Sequence, residues 1–100
     1  MAKTETRPYD PAEFLDTEEK QAAFLSAALE ENDPYYFTHA LGVVIRTRGV
    51  THVAREAGLG RASLYKSFGG GAKPEFETVL RVLQALGIKL TVVPSSTGAA

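Results

Sequence analysis

Residues 50–68, VTHVAREAGLGRASLYKSF, constrain the fold more tightly than any other stretch of the chain. Their apolar positions, Val53, Ala57, Leu59, Leu64 and Phe68, are spaced for two short helices sharing one core. Ala54 is small where the second helix must cross closely. Gly58 falls where the chain leaves the first helix and needs a left-handed residue, a conformation only glycine takes cheaply. Two helices at a steep angle around a tight glycine turn follow, the helix-turn-helix arrangement. In its DNA-binding versions the second helix enters the major groove. Here that helix starts at Arg61 and turns Ala62, Ser63, Tyr65 and Lys66 outward. The competing reading is an ordinary helical hairpin of a small bundle, but this row of side chains fits DNA better.

The flanking sequence extends the helical pattern. Residues 1–13 read as an irregular arm, interrupted by Pro8 and Pro11. Asp16 or Thr17 caps a first helix, Asp16 with Glu19 having capping-box spacing. Its expected inner stripe is Ala22, Leu25, Ala28 and Leu29, with Phe24 at the margin. Asp33-Pro34 restarts the chain as an N-cap followed by proline at the first helical position. The second helix runs to about Arg48, burying Phe37, Leu41, Val44 and Ile45, and Gly49 ends it. Thr51 is the expected cap of the third helix. A fifth helix starts at Pro74 and Glu75, with Phe76, Val79, Leu80, Leu83 and Leu86 inward and Gly87 at its end.

Residues 88–93, IKLTVV, alternate Ile88, Leu90 and Val92 against Lys89 and Thr91, and read as a β-strand. A lone strand needs a partner for its backbone groups. Pairing with the same strand of a second copy gives a twofold dimer through Ile88, Leu90 and Val92. The alternative is an extended tail packed over the helices. Residues 94–100 read as a frayed end. The expected fold is therefore all-α: five helices in one domain, 14–93, with a short C-terminal strand.

Composition excludes several classes. At 100 residues the chain holds one modest core, and without cysteine it has neither disulfides nor a thiolate metal site. No run approaches the roughly 18 apolar residues that span a bilayer, and the polar N-terminus lacks a signal core, so a cytoplasmic protein is expected. The net charge of −1 hides an asymmetry. Residues 1–33 carry three bases against nine acids, net −6, and residues 34–100 carry eight bases against three acids, net +5. An acidic arm on a basic body suggests two surfaces with different partners, although acids also simply solvate an exposed helix.

Catalysis finds little support: there is no nucleophile elbow and no convincing carboxylate pair. His52 and Glu56 stand four apart on one helix face, but two ligands without a third make no metal site. His39 reads as a partly exposed packing residue. Gly69, Gly70 and Gly71 lack the GK[ST] that a phosphate loop requires. No enzyme activity, metal or cofactor is expected. Binding is better supported. The planar fork of Arg61 suits guanine or a phosphate, Ser63 bonds either a base edge or a phosphate, and Ala62 suits a thymine methyl. Tyr65 and Lys66 continue that face. Thr51 and His52 stand where helix-end amides meet backbone phosphates, with Arg46, Arg48 and Lys73 around them. Arg55 suits either an acidic neighbour or the DNA flank.

The segments LSAALEENDPYYFTHAL, RGVTHVAREAGLGRASLYKSF and KPEFETVLRVLQALGIKLTV resemble the addiction-module antidote family, helix-turn-helix antitoxins of bacterial type II toxin–antitoxin systems. The most specific matches are ALEENDP, VAREAGL with the following SLYK, and the VLxALGxKLxV ending, and the resemblance covers about three quarters of the chain. It implies a lambda-repressor-like DNA-binding domain that forms a homodimer, binds double-stranded operator DNA and represses its own operon. It also implies a cognate toxin neutralised by direct binding; from the charge split, the acidic first helix is expected to contribute to the toxin interface. The chain departs from the pattern in having Gly60 where such proteins carry serine, His52 where many carry glutamine, and a glycine-richer loop, GGGAK. Two other readings remain at this stage: a stand-alone helix-turn-helix regulator, and a protein-interaction module without DNA recognition.

Overall fold

The structure, a computed structural model, describes residues 14–69 and 71–95. The expected arm over residues 1–13, Gly70 and residues 96–100 lie outside the described residues. Five α-helices follow in order: α1 (Glu18–Leu29), α2 (Pro34–Arg48), α3 (Val50–Ala57), α4 (Arg61–Phe68) and α5 (Phe76–Leu86). The described domain is all-helical, as expected.

At the centre stands α2. It buries six consecutive residues, Ala40 to Ile45, because α1, α3 and α4 all pack against it. Its start is set locally: the Asp33 carboxylate accepts the Tyr35 and Tyr36 amides at 3.0 and 3.3 Å, and Pro34 needs no partner for a missing donor. Gly49, at φ 103°, closes α2 and opens α3 in one step, with its amide on the Ile45 carbonyl and its carbonyl taking the Val53 amide, both at 2.9 Å. Thr51 is therefore not a cap. It lies inside α3, exposed, and α3 has no side-chain cap at all.

Thr17 caps α1, its hydroxyl accepting the Lys20 amide at 3.1 Å. Asp16 pairs instead with the Lys20 ammonium at 3.0 Å, and that hydrogen bond and charge hold its carboxyl below the ordinary aspartate range. The buried face of α1 is Gln21, Leu25 and Ala28, rotated from the expected stripe. Ala22 is half-buried and Leu29 is 43% exposed. The rotation follows from Gln21, whose amide donates to the Leu15 carbonyl at 2.9 Å and accepts from Arg48 Nε at 2.8 Å. With both ends satisfied, its burial costs little.

The helix α5 packs on α3, and its start and phase also differ from expectation. Glu75 is extended (φ −68°, ψ 152°) and its carbonyl accepts the Val79 amide at 3.0 Å, so the helix begins at Phe76 rather than Pro74. The inner strip is Val79, Val82, Leu83 and Leu86, a narrower run than the one expected. Phe76 and Leu80 fall outside it, 65% and 41% exposed.

The ends of α3 and α5 are built alike. Gly58 (φ 72°) and Gly87 (φ 75°) turn left-handed, and the next amide closes on a carbonyl five residues back, Leu59 to Ala54 at 2.9 Å and Ile88 to Leu83 at 3.0 Å. In each case the closure lays a half-buried aliphatic side chain, Leu59 or Ile88, on the core. Beyond Ile88 the chain forms no regular structure: within one copy no second strand is offered, and residues 89–94 make no backbone hydrogen bond to another described residue. The expected strand over 88–93 is thus not formed here. The tail packs over the helices only in its first residues: Leu90, 38% exposed, lies beside α5, while Val92 is 92% and Val93 74% exposed.

Candidate nucleic-acid interface

The helix α4 is anchored from one side. Leu64 is 1% and Phe68 5% exposed, both part of the buried core, and α2 and α3 both pack against α4. Helical periodicity then decides the opposite face: Arg61, Ala62, Ser63, Tyr65 and Lys66 all stand in solvent. The guanidinium of Arg61 lies over the Tyr65 ring, 5.4 Å from its centroid. That stacking orders two of the longest side chains on the face in advance of any ligand.

Close contact at one point fixes the seat of α4. A Cβ placed on Gly42 would lie 2.7 Å from the Phe68 carbonyl oxygen, so α2 meets the end of α4 backbone against side-chain-free backbone. Arg46 and Tyr65 line the same shallow seam beside this contact, which puts the Arg46 cation next to the outward face of α4. At the head of α4, Gly60 is extended (φ −74°, ψ 148°) and offers no side chain to the first amides. Those donors point outward at the end where the helix dipole is positive.

The remaining expected residues are distributed around this helix. Thr51 and His52 are exposed in the first turn of α3. Lys73 is exposed, its ammonium 5.9 Å from the centroid of the Tyr35 ring at the start of α2. Arg55 is exposed and forms no ion pair with a described acid. Arg48 departs from expectation: it does not surround the site. Its guanidinium turns to the other side of α2, donating to Gln21, to the Leu86 carbonyl, and to Glu18 at 3.3 Å. The last turn of α2 thus splits its two arginines, Arg46 to the α4 side and Arg48 to the α1–α5 side. His52 and Glu56 gain no third ligand, and no group of three metal-ligating side chains occurs among the described residues.

Sequence reasoning missed a second kind of surface. Two open apolar troughs flank Phe76 and Leu90, and both residues line both troughs. The larger, of about 810 Å³, runs along the outer face of α5 and includes Leu80, Leu83 and Ile88, with Glu77 and Arg81 paired at 3.4 Å on its wall. The smaller, of about 460 Å³, lies between the end of α1, the start of α2 and α5, and includes Leu29, Phe37 and Val79. The available signal was the breadth of the apolar pattern in α5, wider than one buried strip needs. No helix among the described residues is long and apolar enough to cross a membrane.

Residues 5–94 match the profile of a family described as "Probable addiction module antidote protein". A protein of Haemophilus influenzae (strain Rd), described only as uncharacterized, is 36% identical over 89 residues, covering 89% of this chain and 92% of its own length. No solved structure matches the chain.

Proposed function

From a chain that belongs to the family of probable addiction module antidote proteins, we propose an antitoxin that neutralises a cognate toxin by direct binding and represses its own operon. The membership supplies the toxin half of the reading. The DNA half rests on one observation: an anchored α4 whose free face carries Arg61, Ala62, Ser63, Tyr65 and Lys66. In this reading Arg61 and Ser63 meet base edges or phosphates, Ala62 a thymine methyl, and Tyr65 and Lys66 the adjoining strand. Thr51 and His52 at the start of α3, with Lys73, hold the DNA backbone. The protein is not an enzyme: it acts by occupying its partners.

Few cations per copy imply weak binding by one copy, so repression requires a homodimer on a two-half operator. Leu90 and Val92, exposed on a segment, residues 89–94, that makes no backbone hydrogen bond to another described residue, supply the pairing edge. Ile88 contributes less than expected, since it is half-buried on its own protomer's core.

A mobility-shift titration with the DNA upstream of the chain's own reading frame tests the DNA half. Arg61→Ala with Lys66→Ala is expected to weaken binding by about 2–4 kcal/mol and to flatten its salt dependence. Unchanged affinity in that variant overturns the assignment of α4. A low-salt titration showing no sequence preference would leave a protein-interaction module instead.

A further inference from the structure

The antidote reading leaves open where the toxin sits, and resting on that reading, we propose that it sits in the smaller trough, between the end of α1 and α5. The occupant is a segment of a basic protein that inserts an apolar side chain between Leu29, Phe37, Phe76 and Val79, and sets lysine or arginine against the rim.

Three observations select that chemistry. The trough is apolar and open, with Leu29 and Phe76 43% and 65% exposed, so an aliphatic or aromatic side chain gains by entering it. Its rim at the end of α1 is anionic. Asp33 lines the trough, its carboxylate also capping α2, and Glu30 and Glu31 are exposed in the adjoining turn. None of the three pairs with a described base, and the last turn of α1 contains no basic residue to offset the negative helix end. The nearby cations are directed elsewhere: Lys73 lies over the Tyr35 ring, and Lys89 lines the larger trough.

The same rim rejects the other large partners. Nucleic acid and anionic membrane would both bring negative charge against Asp33 and the adjoining Glu30 and Glu31. A second copy finds a better seat in the larger trough, where Glu77 and Arg81 present both signs and can face their own twofold images. Charge complementarity therefore assigns the smaller trough to a cationic protein surface.

The test uses the full chain and the protein encoded by the reading frame beside its own, with affinity measured by calorimetry at two salt concentrations. Two variants probe separate features: Glu30→Lys with Glu31→Lys, and Leu29→Ser. The charge reversal places bases at a helix C-terminus, where they favour the fold, so lost binding cannot be laid to unfolding. Each variant is expected to weaken the complex by about tenfold or more, with steeper salt dependence in the wild type than in the charge-reversed chain. The operator shift and the sedimentation of the free protein are expected to stay unchanged. If the wild type binds and both variants bind within about twofold of it, the trough is not the toxin site. A Leu29→Ser chain that binds its neighbour normally but changes oligomeric state assigns the trough to a second copy, which overturns the proposal. If the wild type itself binds no neighbouring product, the antidote reading falls and the trough assignment falls with it.

Discussion

One methyl group at position 42 would lift the end of α4 from its seat. Local pattern carries no sign of the role of Gly42, because the constraint comes from a carbonyl 26 residues away, that of Phe68. Helix propensity alone favours alanine over glycine in a helix by about 1 kcal/mol. The 2.7 Å approach of its Cβ to backbone reverses that gain, since neither partner is a flexible side chain. Gly42→Ala is expected to cost about 1–3 kcal/mol in urea denaturation and to weaken operator binding by displacing the end of α4. An unchanged or raised midpoint would show the contact to be slack. Gly58, by contrast, was legible, because a left-handed residue between two helices is a local demand. Gln21 was not, for the opposite reason: a polar residue reads as solvent-facing until its two hydrogen-bond partners are known.

At the level of elements, most helix ends were legible, Thr51 excepted, while the phases of α1 and α5 were not. Asp33-Pro34, Gly58 and Gly87 mark helix ends through chemistry contained within a few residues. The faces of α1 and α5 are chosen by what they pack against, so their stripes shifted while their existence held. Arg48 is the side chain that links these elements. It joins α2 to Gln21 and Glu18 of α1 and to the carbonyl of Leu86, at the end of α5. Arg48→Ala leaves the Gln21 oxygen and the Leu86 carbonyl without that donor, in a region largely closed to water. The expected loss is about 2–3 kcal/mol, with amide exchange rising first at the end of α5. Glu18 is 64% exposed at its side chain, so Glu18→Ala is expected to change stability by less than about 0.5 kcal/mol. Equal losses in the two variants would place the energy in the ion pair rather than in the buried hydrogen bonds.

The whole molecule divides its surface by charge and polarity: cations around α4, carboxylates at the end of α1, apolar side chains along α5 and the tail. The charge split was visible in the sequence, but the division into troughs was not, since it depends on where α1 ends relative to α5. The tail is the least self-sufficient part, with Val92 and Val93 left in water. Leu90→Ser with Val92→Ser is expected to convert a sedimenting dimer to monomer at micromolar concentration and to reduce operator affinity, with little loss of helical signal. A wild-type chain that sediments as a monomer at that concentration would remove the tail from the interface.

Phe76 and Leu90 have one more consequence. Each is a party wall, common to the trough assigned to a second copy and the trough assigned to a basic guest. If a guest on either side changes how these two side chains are held, it alters the lodging offered on the other. Thermodynamic reciprocity then requires the two occupants to alter each other's affinity by the same factor. A toxin in its trough would thereby tune dimerisation, and through it the grip on an operator that it never touches.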